Sequence, residues 1–235
     1  MSINGLFPID KWDYKSHSIL TELPPEDIEK LTAHISDQHY TKGEIIFREN
    51  SFSSGIFFIR SGKVKKYKAD KEGREQIIYV ANTGELLGYH AILSADNYPD
   101  SAAVLEDSTI AFIPREDFLE AIDQSGVLNR RLLKTLSHEF AVLANSLTLF
   151  AQRSVRERLA LQLIVIREKY KVNFEPGMPV EINMSRDDLA SLVGTARENV
   201  VRMLSEFKAE GTVETKGRKI IVLDVKKLID IANYR

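Results

Sequence analysis

The stretch SRDDLASLVGTARENVVRMLSEFKAEGTVETKGRKIIVLD, residues Ser185–Asp224, decides the fold. Two short amphipathic segments in it meet at Gly194, and a basic hairpin follows. Ser185 is suited to cap the first segment, because a serine oxygen accepts a hydrogen bond from the first turn of a helix, and Asp188 adds an imperfect capping box. Gly194 readily adopts the left-handed conformation that ends many helices. The pattern therefore predicts a helix, a glycine turn and a second helix.

The second segment has one apolar and one charged face. Thr195 and Glu198 form a further possible capping box, which predicts a helix start near Thr195. The charged face carries Arg197, Glu198 and Arg202, and an arginine fork fits guanine while a glutamate accepts from the cytosine amino group. An ordinary surface pair between Glu198 and Arg202 is the alternative. The apolar face consists of Val200, Met203, Leu204 and Phe207.

A basic turn follows the two helices. Thr212–Thr215 and Lys219–Leu223 are predicted strands, and the turn between them contains Lys216 and Arg218. A hairpin in this position is the wing of a winged helix-turn-helix, and its cations are placed to touch phosphate. The sequence thus predicts a DNA-binding unit whose second helix enters the major groove.

The segment GTARENVVRML at Gly194–Leu204 resembles the recognition helix of the Crp/Fnr family of transcription regulators. The resemblance implies that the second helix reads a half-site of the TGTGA type, with arginines on guanines and Glu198 on a cytosine. In relatives a loop near Lys171–Pro179, before a predicted strand Val180–Asn183, contacts RNA polymerase, which makes the polymerase a further candidate partner. The DNA contacts that we expect are Ser185, Thr195, Arg197, Glu198, Arg202, Lys216 and Arg218.

Short β-rich runs separated by glycines occupy Tyr40–Ile113, after a predicted helix at Pro24–Ile35. Strands of this length with regular turns indicate a small antiparallel sandwich or barrel. The motifs at Lys42–Glu44, Ser61–Lys63 and Gly84–Gly88 resemble, in order, those of the Crp/Fnr β-roll, a cyclic-nucleotide-binding-like double-stranded β-helix. The resemblance begins near residue 20, and we expect a variable arm before it. The predicted strands are Glu44–Phe47, Ile56–Arg60, Lys63–Ala69, Gln76–Val80, Ser101–Val104 and Ser108–Ile113.

Two positions of the β-roll depart from members that bind cyclic nucleotides. Those members carry a Gly-Glu pair, whose glutamate holds the ribose, where this chain has Gly88 and Tyr89. They carry an Arg-Ser pair at the phosphate where this chain has Asp100 and Ser101. A carboxylate repels a cyclic phosphate, whereas arginine would form a charge-assisted hydrogen bond. We therefore do not expect cyclic AMP to bind.

A third departure concerns the long helix. The adenine contacts of the family fall at Leu143 and Ala144, which lack hydroxyl groups. The predicted effector pocket consists of Leu143 and Ala144 together with Tyr79, Gly88, Tyr89, His90, Asp100 and Ser101. Some relatives bind haem through a histidine in this region, so a haem-based gas or redox sensor is the alternative for His90, against an ordinary packing or surface role. A β-roll without any effector also remains open.

A long helix is predicted from Val127 to about Gln152, between a short helix at Glu116–Ile122 and another that begins at Ser154. Apolar residues recur along the long helix in steps of three and four, which is a heptad seam. Such a short seam fits an intramolecular core or a dimer, and by resemblance we favour a parallel homodimer. This seam consists of Leu133, Leu136, Phe140, Leu143, Leu147 and Phe150.

Composition limits the remaining possibilities. The 235 residues contain no cysteine, so disulfides, cysteinyl iron–sulfur clusters and thiolate zinc sites are excluded. The N-terminus does not resemble a signal peptide and no apolar run is long enough to span a membrane, so a cytoplasmic location without a membrane partner is expected. Residues 1–150 carry a net charge of −6 and residues 151–235 a net charge of +4. The basic C-terminal part suits contact with DNA.

These observations predict an α+β chain in three parts. Residues 1–125 form a β-roll sensor, residues 126–152 a dimerisation helix and residues 153–235 a winged helix-turn-helix. The predicted function is that of a homodimeric regulator that binds palindromic double-stranded DNA, with an unknown small-molecule effector. A protein-interaction module without DNA binding is the second class. An enzyme is not expected, because no nucleophile–base pair or metal-ligand pattern is present, and no metal site is predicted.

Overall fold

The computed structural model describes residues 3, 5–14, 16, 19–21, 23–171 and 179–233. They fall into two compact units. One contains the described parts of 14–68 and 78–140, and the other those of 1–13, 69–77 and 141–235. Within these ranges, no helix combines the length and apolar character that crossing a bilayer requires.

Eight strands lie wholly or largely in the unit that contains residues 14–68 and 78–140. They are β1 (Ser36–Tyr40), β2 (Ile45–Phe47), β3 (Gly55–Ser61), β4 (Lys63–Ala69), β5 (Glu75–Asn82), β6 (Leu86–Leu87), β7 (Ser101–Val104) and β8 (Ser108–Pro114). One sheet has the order β1-β8-β3-β6 and the other the order β2-β7-β4-β5. The registered pairs are antiparallel, for example Gln38 of β1 opposite Ile110 of β8. The predicted β-roll architecture is confirmed.

The sequence pattern missed β1 and β6 for two different reasons. β1 has the sequence SDQHY and is exposed along most of its length, so it lacks the apolar alternation that marks a half-buried strand. It forms because β8 offers it a hydrogen-bonding edge. β6 has only two residues, both buried, and pairs with β3.

Four helices belong wholly or partly to this unit. They are α1 (Pro25–Leu31), α2 (Tyr89–Leu93), α3 (Arg115–Gln124) and α4 (Gly126–Gln152). The prediction that α1 continues to Ile35 was wrong: its last turn closes at Thr32, and the chain then enters β1. Helices and strands share a core of Ile19, Leu23, Leu31, Ile56, Leu86, Tyr89, Ile92, Ile113, Phe118, Ala121, Leu128 and Leu132.

α4 carries a buried stripe beside the predicted seam. From Leu128 to Val142 the buried positions recur every three or four residues, as expected for one face of a helix, and Leu149 follows about two turns later. An acidic residue, Glu139, is among them. Leu136 of the seam packs in part against the core, while its other members are exposed. The stripe consists of Leu128, Leu132, Thr135, Glu139, Val142 and Leu149.

The winged unit contains α5 (Val155–Lys169), β9 (Glu181–Asn183), α6 (Arg186–Val193), α7 (Arg197–Ala209), β10 (Val213–Lys216), β11 (Lys219–Val222) and α8 (Val225–Ala232). Its sheet has the order β10-β11-β9 and is antiparallel. α8 was not predicted; it begins at the N-cap Asp224 and buries Leu228 and Ala232. Most of the loop proposed to touch RNA polymerase, residues 172–178, lies outside the described residues.

The described part of the N-terminal arm packs within the same unit. A short 3₁₀ turn spans Ile9–Lys11. The Asn145 side chain of α4 donates a 2.9 Å hydrogen bond to the carbonyl of Lys11, and Lys169 of α5 forms a buried 2.9 Å ion pair with Asp13. The arm also buries apolar side chains, namely Ile3, Phe7 and Trp12.

A complete capping box begins α5, where the sequence predicted a helix start. The Ser154 hydroxyl accepts a hydrogen bond from the Glu157 amide. In return the Glu157 carboxylate accepts from the Ser154 amide at 2.8 Å and the Ser154 hydroxyl at 2.7 Å. These hydrogen bonds lower the pKa of Glu157 to about 2.

Replacing this carboxylate should lower stability at neutral pH and have a smaller effect in acid. The folded-state pKa of about 2 lies below the ordinary value of 4.5, so the contribution of Glu157 is complete above pH 4.5 and is lost as the pH falls towards 2. We expect Glu157→Gln to cost about 0.5–1 kcal/mol at neutral pH, in the range of an exposed helix cap. The difference in unfolding free energy between wild type and variant, measured with denaturant at each pH, should shrink below pH 4.5. A difference that stays constant down to pH 2.5 would contradict this assignment.

Candidate nucleic-acid interface

The turn between α6 and α7 forms as the sequence indicates. The Ser185 hydroxyl accepts from the Asp188 amide at 2.9 Å and donates to the Asp188 carboxylate at 2.6 Å. Gly194 ends α6 with φ 69° and ψ 53°, a left-handed conformation. A Cβ atom at Gly194 would lie 2.8 Å from Cε1 of Phe150, so both backbone conformation and space require glycine here.

The predicted capping role of Thr195 was wrong. α7 begins at Arg197, after an N-cap Ala196 that makes no side-chain cap. The amides of Gly194 and Thr195 both donate to the carbonyl of Ala190, so Thr195 still closes the preceding helix. Its hydroxyl instead accepts a 3.0 Å hydrogen bond from the side-chain amide of Asn199.

α7 separates its apolar and charged side chains as predicted. Arg197, Glu198 and Arg202 are exposed. The Arg197 guanidinium lies 3.4 Å from the Asp187 carboxylate, and Arg202 donates a 3.3 Å hydrogen bond to Asn199. Among the described residues Glu198 forms no ion pair with Arg202, so the alternative surface pair is not made. The buried face consists of Val200, Met203, Leu204 and Phe207.

The wing is held in place by a residue that the sequence analysis missed. Arg186, at the start of α6, donates 3.1 Å hydrogen bonds to the carbonyls of Gly217 and Arg218. Burial and the nearby charge of Arg197 lower the pKa of Arg186. The side chains of Lys216 and Arg218 are exposed at the tip, where they are available to phosphate.

A second missed arginine supports α7 from the side of α5. The Arg156 guanidinium donates at 3.0 Å to Glu206 and at 2.7 and 2.8 Å to both carboxylate oxygens of Glu210. Its central carbon lies 4.7 Å from the centre of the Phe207 ring. One nitrogen of the guanidinium thus contacts both oxygens of Glu210, and the other contacts Glu206. Together with the cation–π contact to Phe207, these bonds support the C-terminal half of α7.

The predicted effector pocket contains a network of the protein's own side chains. Tyr89 is fully buried and donates a 2.7 Å hydrogen bond to Glu139 of α4. Nε2 of His90 lies 2.7 Å from the other oxygen of Glu139, and the rings of Tyr89 and His90 stack at 4.2 Å. Burial would raise the pKa of Glu139, but the hydrogen bonds from His90 and Tyr89 and the charge of His90 lower it below its ordinary value.

A buried ion pair occupies the neighbouring part of this network. Lys66 lies 2.8 Å from the Asp100 carboxylate, and the two side chains are only 5% and 9% exposed. The Lys66 ammonium is 5.4 Å from the centre of the Tyr79 ring, which stacks at 4.5 Å on Tyr14. Burial, reinforced by nearby carboxylates, raises the pKa of Tyr79 well above its usual value. Asp100, the carboxylate that we expect to repel a phosphate, is thus paired with a cation of the same chain, Lys66.

The remaining predicted pocket residues have other surroundings. Ser101 accepts a 2.9 Å hydrogen bond from the Glu49 amide. Gly88 precedes α2 with φ 85°, and a Cβ there would lie 3.1 Å from the Tyr98 ring. Leu143 and Ala144 are exposed on α4.

The sequence did not predict that Lys66 and Glu139 belong to the network in the effector pocket. A carboxylate within the otherwise uncharged buried stripe of α4 is a signal that the sequence does carry for Glu139. Lys66 has no comparable signal, because β4 contains four lysines and periodicity alone does not show which one has a buried partner. Among the described residues no cluster of three or more histidine or acidic side chains is arranged to hold a metal ion.

The seam on α4 is an apolar strip on the outside of the chain. Leu133, Phe140 and Leu147 are 66%, 74% and 65% exposed. Leu143 and Phe150 are also exposed, whereas Leu136 is partly buried. Single exposed apolar residues are common on protein surfaces, but a contiguous strip usually marks an interaction site.

A β-roll, a long helix and a winged helix-turn-helix with an exposed charged recognition face define a class of DNA-binding regulators. The profile of the cyclic nucleotide-binding domain matches residues 37–125, and that of the Crp-like helix-turn-helix domain matches residues 157–231. The chain belongs to the Crp/Fnr family of DNA-binding transcription regulators. This conclusion agrees with the recognition-helix and β-roll motifs of its sequence.

Regulators from several bacteria are similar over most of the chain. The transcriptional activator protein anr of Pseudomonas aeruginosa is 27% identical over 89% of this chain and 86% of its own length. The fumarate and nitrate reduction regulatory protein of Vibrio cholerae is 26% identical over 81% of this chain and 76% of its own.

Solved structures support the fold. FixK2 from Bradyrhizobium japonicum aligns with a TM-score of 0.74 at 22% identity, over 84% of this chain and 96% of that one. A CRP/FNR family regulator from Thermus thermophilus aligns with a TM-score of 0.71 at 22% identity, over 85% and 100%. At this identity the likeness concerns architecture and does not assign a ligand.

The geometry predicts different roles for Glu198 and Arg218. Glu198→Ala removes a proposed cytosine acceptor, so preference at one symmetric base pair should relax by about 1–3 kcal/mol with a smaller loss of total affinity. Arg218→Ala removes a proposed phosphate contact, so it should weaken binding to all sequences alike and reduce the salt dependence. Selection on randomised half-sites, with titrations at several salt concentrations, measures both effects. The roles are misassigned if Glu198→Ala leaves the selected motif unchanged while Arg218→Ala alters it.

Proposed function

We propose that this chain is a homodimeric, sequence-specific regulator that binds palindromic DNA and does not respond to cyclic AMP. The observation that carries the dimer is the exposed seam on α4. Its residues recur in steps of three and four over about two and a half heptads, and that spacing suits a parallel two-stranded coiled coil. A second copy would cover the strip with the same residues, as two-fold symmetry requires.

Dimerisation would also allow two recognition helices to bind one DNA duplex together, which a single chain cannot do. A two-fold pair presents two α7 helices, and these read successive major-groove segments when they lie about 34 Å apart. Arg197, Glu198 and Arg202 are proposed to read bases, with Lys216 and Arg218 on phosphate. Ser185 and Thr195, at the starts of the two helices, are proposed to stand near the backbone. No catalytic role is proposed, and the family membership supports regulation by DNA binding.

The insensitivity to cyclic AMP is supported by the contents of the β-roll. Asp100 would face the phosphate, but it is already paired with Lys66. Tyr89 replaces the ribose-binding glutamate of relatives and is bonded to Glu139. A nucleotide would have to break both contacts and leave buried charges without partners, which is costly. Nε2 of His90 is likewise engaged by Glu139, so haem ligation by this atom would require the same network to open.

Replacing a seam residue by a charged one tests the dimer. Leu143→Asp would place two carboxylates in the proposed interface, and unpaired charges there cost about 3–5 kcal/mol. We expect a monomer by analytical ultracentrifugation, with lower affinity for a palindromic duplex. Ala141→Asp is the matched control, because Ala141 is exposed on α4 outside the seam. If Leu143→Asp sediments as the wild type does, the seam is not the dimer contact. A stable dimer that binds no DNA would favour a protein-interaction module instead.

Calorimetry tests the response to cyclic AMP. We expect no heat of binding at millimolar nucleotide and no change in DNA affinity upon its addition, because Asp100 is already paired with Lys66 and Tyr89 with Glu139. A dissociation constant near 1 μM corresponds to about 8 kcal/mol of binding. Such a value would show that the network opens for the nucleotide and would refute the proposal.

A further inference from the structure

One arginine in the first turn of α5 bonds to two other segments of the winged unit. Nη1 of Arg158 donates to the carbonyl of Arg153 at 3.1 Å, just beyond the end of α4. Its Nε donates to the carbonyl of Val193 at 3.0 Å, and its Nη2 to that of Gly194 at 3.0 Å, where α6 ends. The guanidinium also lies 5.5 Å from the centre of the Phe150 ring. All these residues belong to the same compact unit.

The chemistry of helix ends explains this arrangement. The last carbonyls of a helix have no partner within it, and the C-terminal end carries partial negative charge. A guanidinium is a permanent cation with five N–H donors in one plane. Arg158 therefore satisfies the ends of α4 and α6 with a single rigid group. A lysine would keep the charge, but its compact ammonium does not reproduce the planar fork that spans the three carbonyls.

The surrounding packing leaves little freedom at this point. A Cβ on Gly194 would approach Cε1 of Phe150 at 2.8 Å and the side-chain oxygen of Gln76 at 3.1 Å. The glycine turn before α7 is therefore in close contact with the last turns of α4. Arg158 bonds to both sides of that contact, so its side chain is placed to define the angle between them.

We propose that Arg158 is a positioning residue that holds the turn between α6 and α7 against the end of α4. It thereby fixes the direction of the recognition helix relative to the C-terminal half of α4, which carries Leu143, Leu147 and Phe150 of the seam. The inference rests on the proposed function, since two half-sites are read together only when each recognition helix is correctly directed. Arg158 itself contacts neither bases nor phosphate in this proposal.

Binding to DNA provides the first test. Arg158→Gln and Arg158→Lys are compared with the wild type on a specific palindrome and on an unrelated duplex. We expect both variants to lose about tenfold or more in specific affinity, in line with the loss of one or two hydrogen bonds to a charged group. Affinity for the unrelated duplex at low salt should fall no more than in Lys226→Gln. That control removes one exposed positive charge from α8.

A distance measurement separates positioning from general stability. The chain has no cysteine, so Thr148→Cys on α4 and Ser205→Cys on α7 give a unique pair of spin labels at exposed sites. Doubly labelled chains diluted with unlabelled protein report the distance within one chain by pulsed electron resonance, whether or not the protein dimerises. We expect a narrow distribution for the otherwise unaltered chain and for Lys226→Gln, and a broader or shifted one for both Arg158 variants. Arg158→Lys carries the test if Arg158→Gln does not fold.

The outcomes distinguish this inference from the proposed function. An unchanged distance distribution in a folded Arg158 variant overturns the positioning role, even if thermal stability is lower. A changed distribution with undiminished specific affinity also overturns it. A monomeric parent protein, or one that binds no DNA, refutes the proposed function. The labels within one chain would still show whether Arg158 sets the angle between α4 and α7.

Discussion

The left-handed turn at Gly194 is the constraint on which the DNA-binding unit depends. It reverses the chain within a few residues, so the apolar faces of α6 and α7 meet while the charged face of α7 stays outside. A side chain at this position would be strained by the positive φ and would collide with Phe150. The turn therefore determines both how α6 and α7 cross and how they contact the end of α4.

Buried charges impose a second constraint, inside the β-roll. An ionised group removed from water is tolerated when it has a partner of opposite charge or several hydrogen bonds. Asp100 has Lys66, and Glu139 has both Tyr89 and His90. Two of the residues that depart from cyclic-nucleotide binders, Tyr89 and Asp100, thus have partners inside the chain. Because Tyr89 and Asp100 both have such partners, we interpret these residues as parts of one network and not as isolated losses of ligand contacts.

Much of this architecture could be predicted because it depends on local patterns. The glycine turn, the caps at Ser154 and Ser185, the stripe of α7 and most strands follow from the spacing and turn chemistry of neighbouring residues. The strand β1 could not be found that way, because its only strand signal is the edge of β8. The prediction for Thr195 failed for a related reason. Its spacing to Glu198 matches a capping box, but its amide donates to the carbonyl of Ala190 at the end of α6, and α7 begins only at Arg197. The partners of Lys66 and Arg158 are distant in sequence, and without an observed contact no periodicity identifies them.

The arginines of the winged unit divide into two groups by their surroundings. Arg156, Arg158 and Arg186 lie partly buried and bond to backbone carbonyls or to the carboxylates of Glu206 and Glu210. Among the residues that the structure describes, Arg197 and Arg202 are exposed and make single polar contacts at 3.4 and 3.3 Å. Exposed pairs of this kind contribute about 0–1 kcal/mol, so little free energy opposes their exchange for a guanine edge. Rigid support behind α7 and weak contacts on its outer face suit the base reading proposed for Arg197 and Arg202, because the scaffold would keep its geometry while these side chains changed partners.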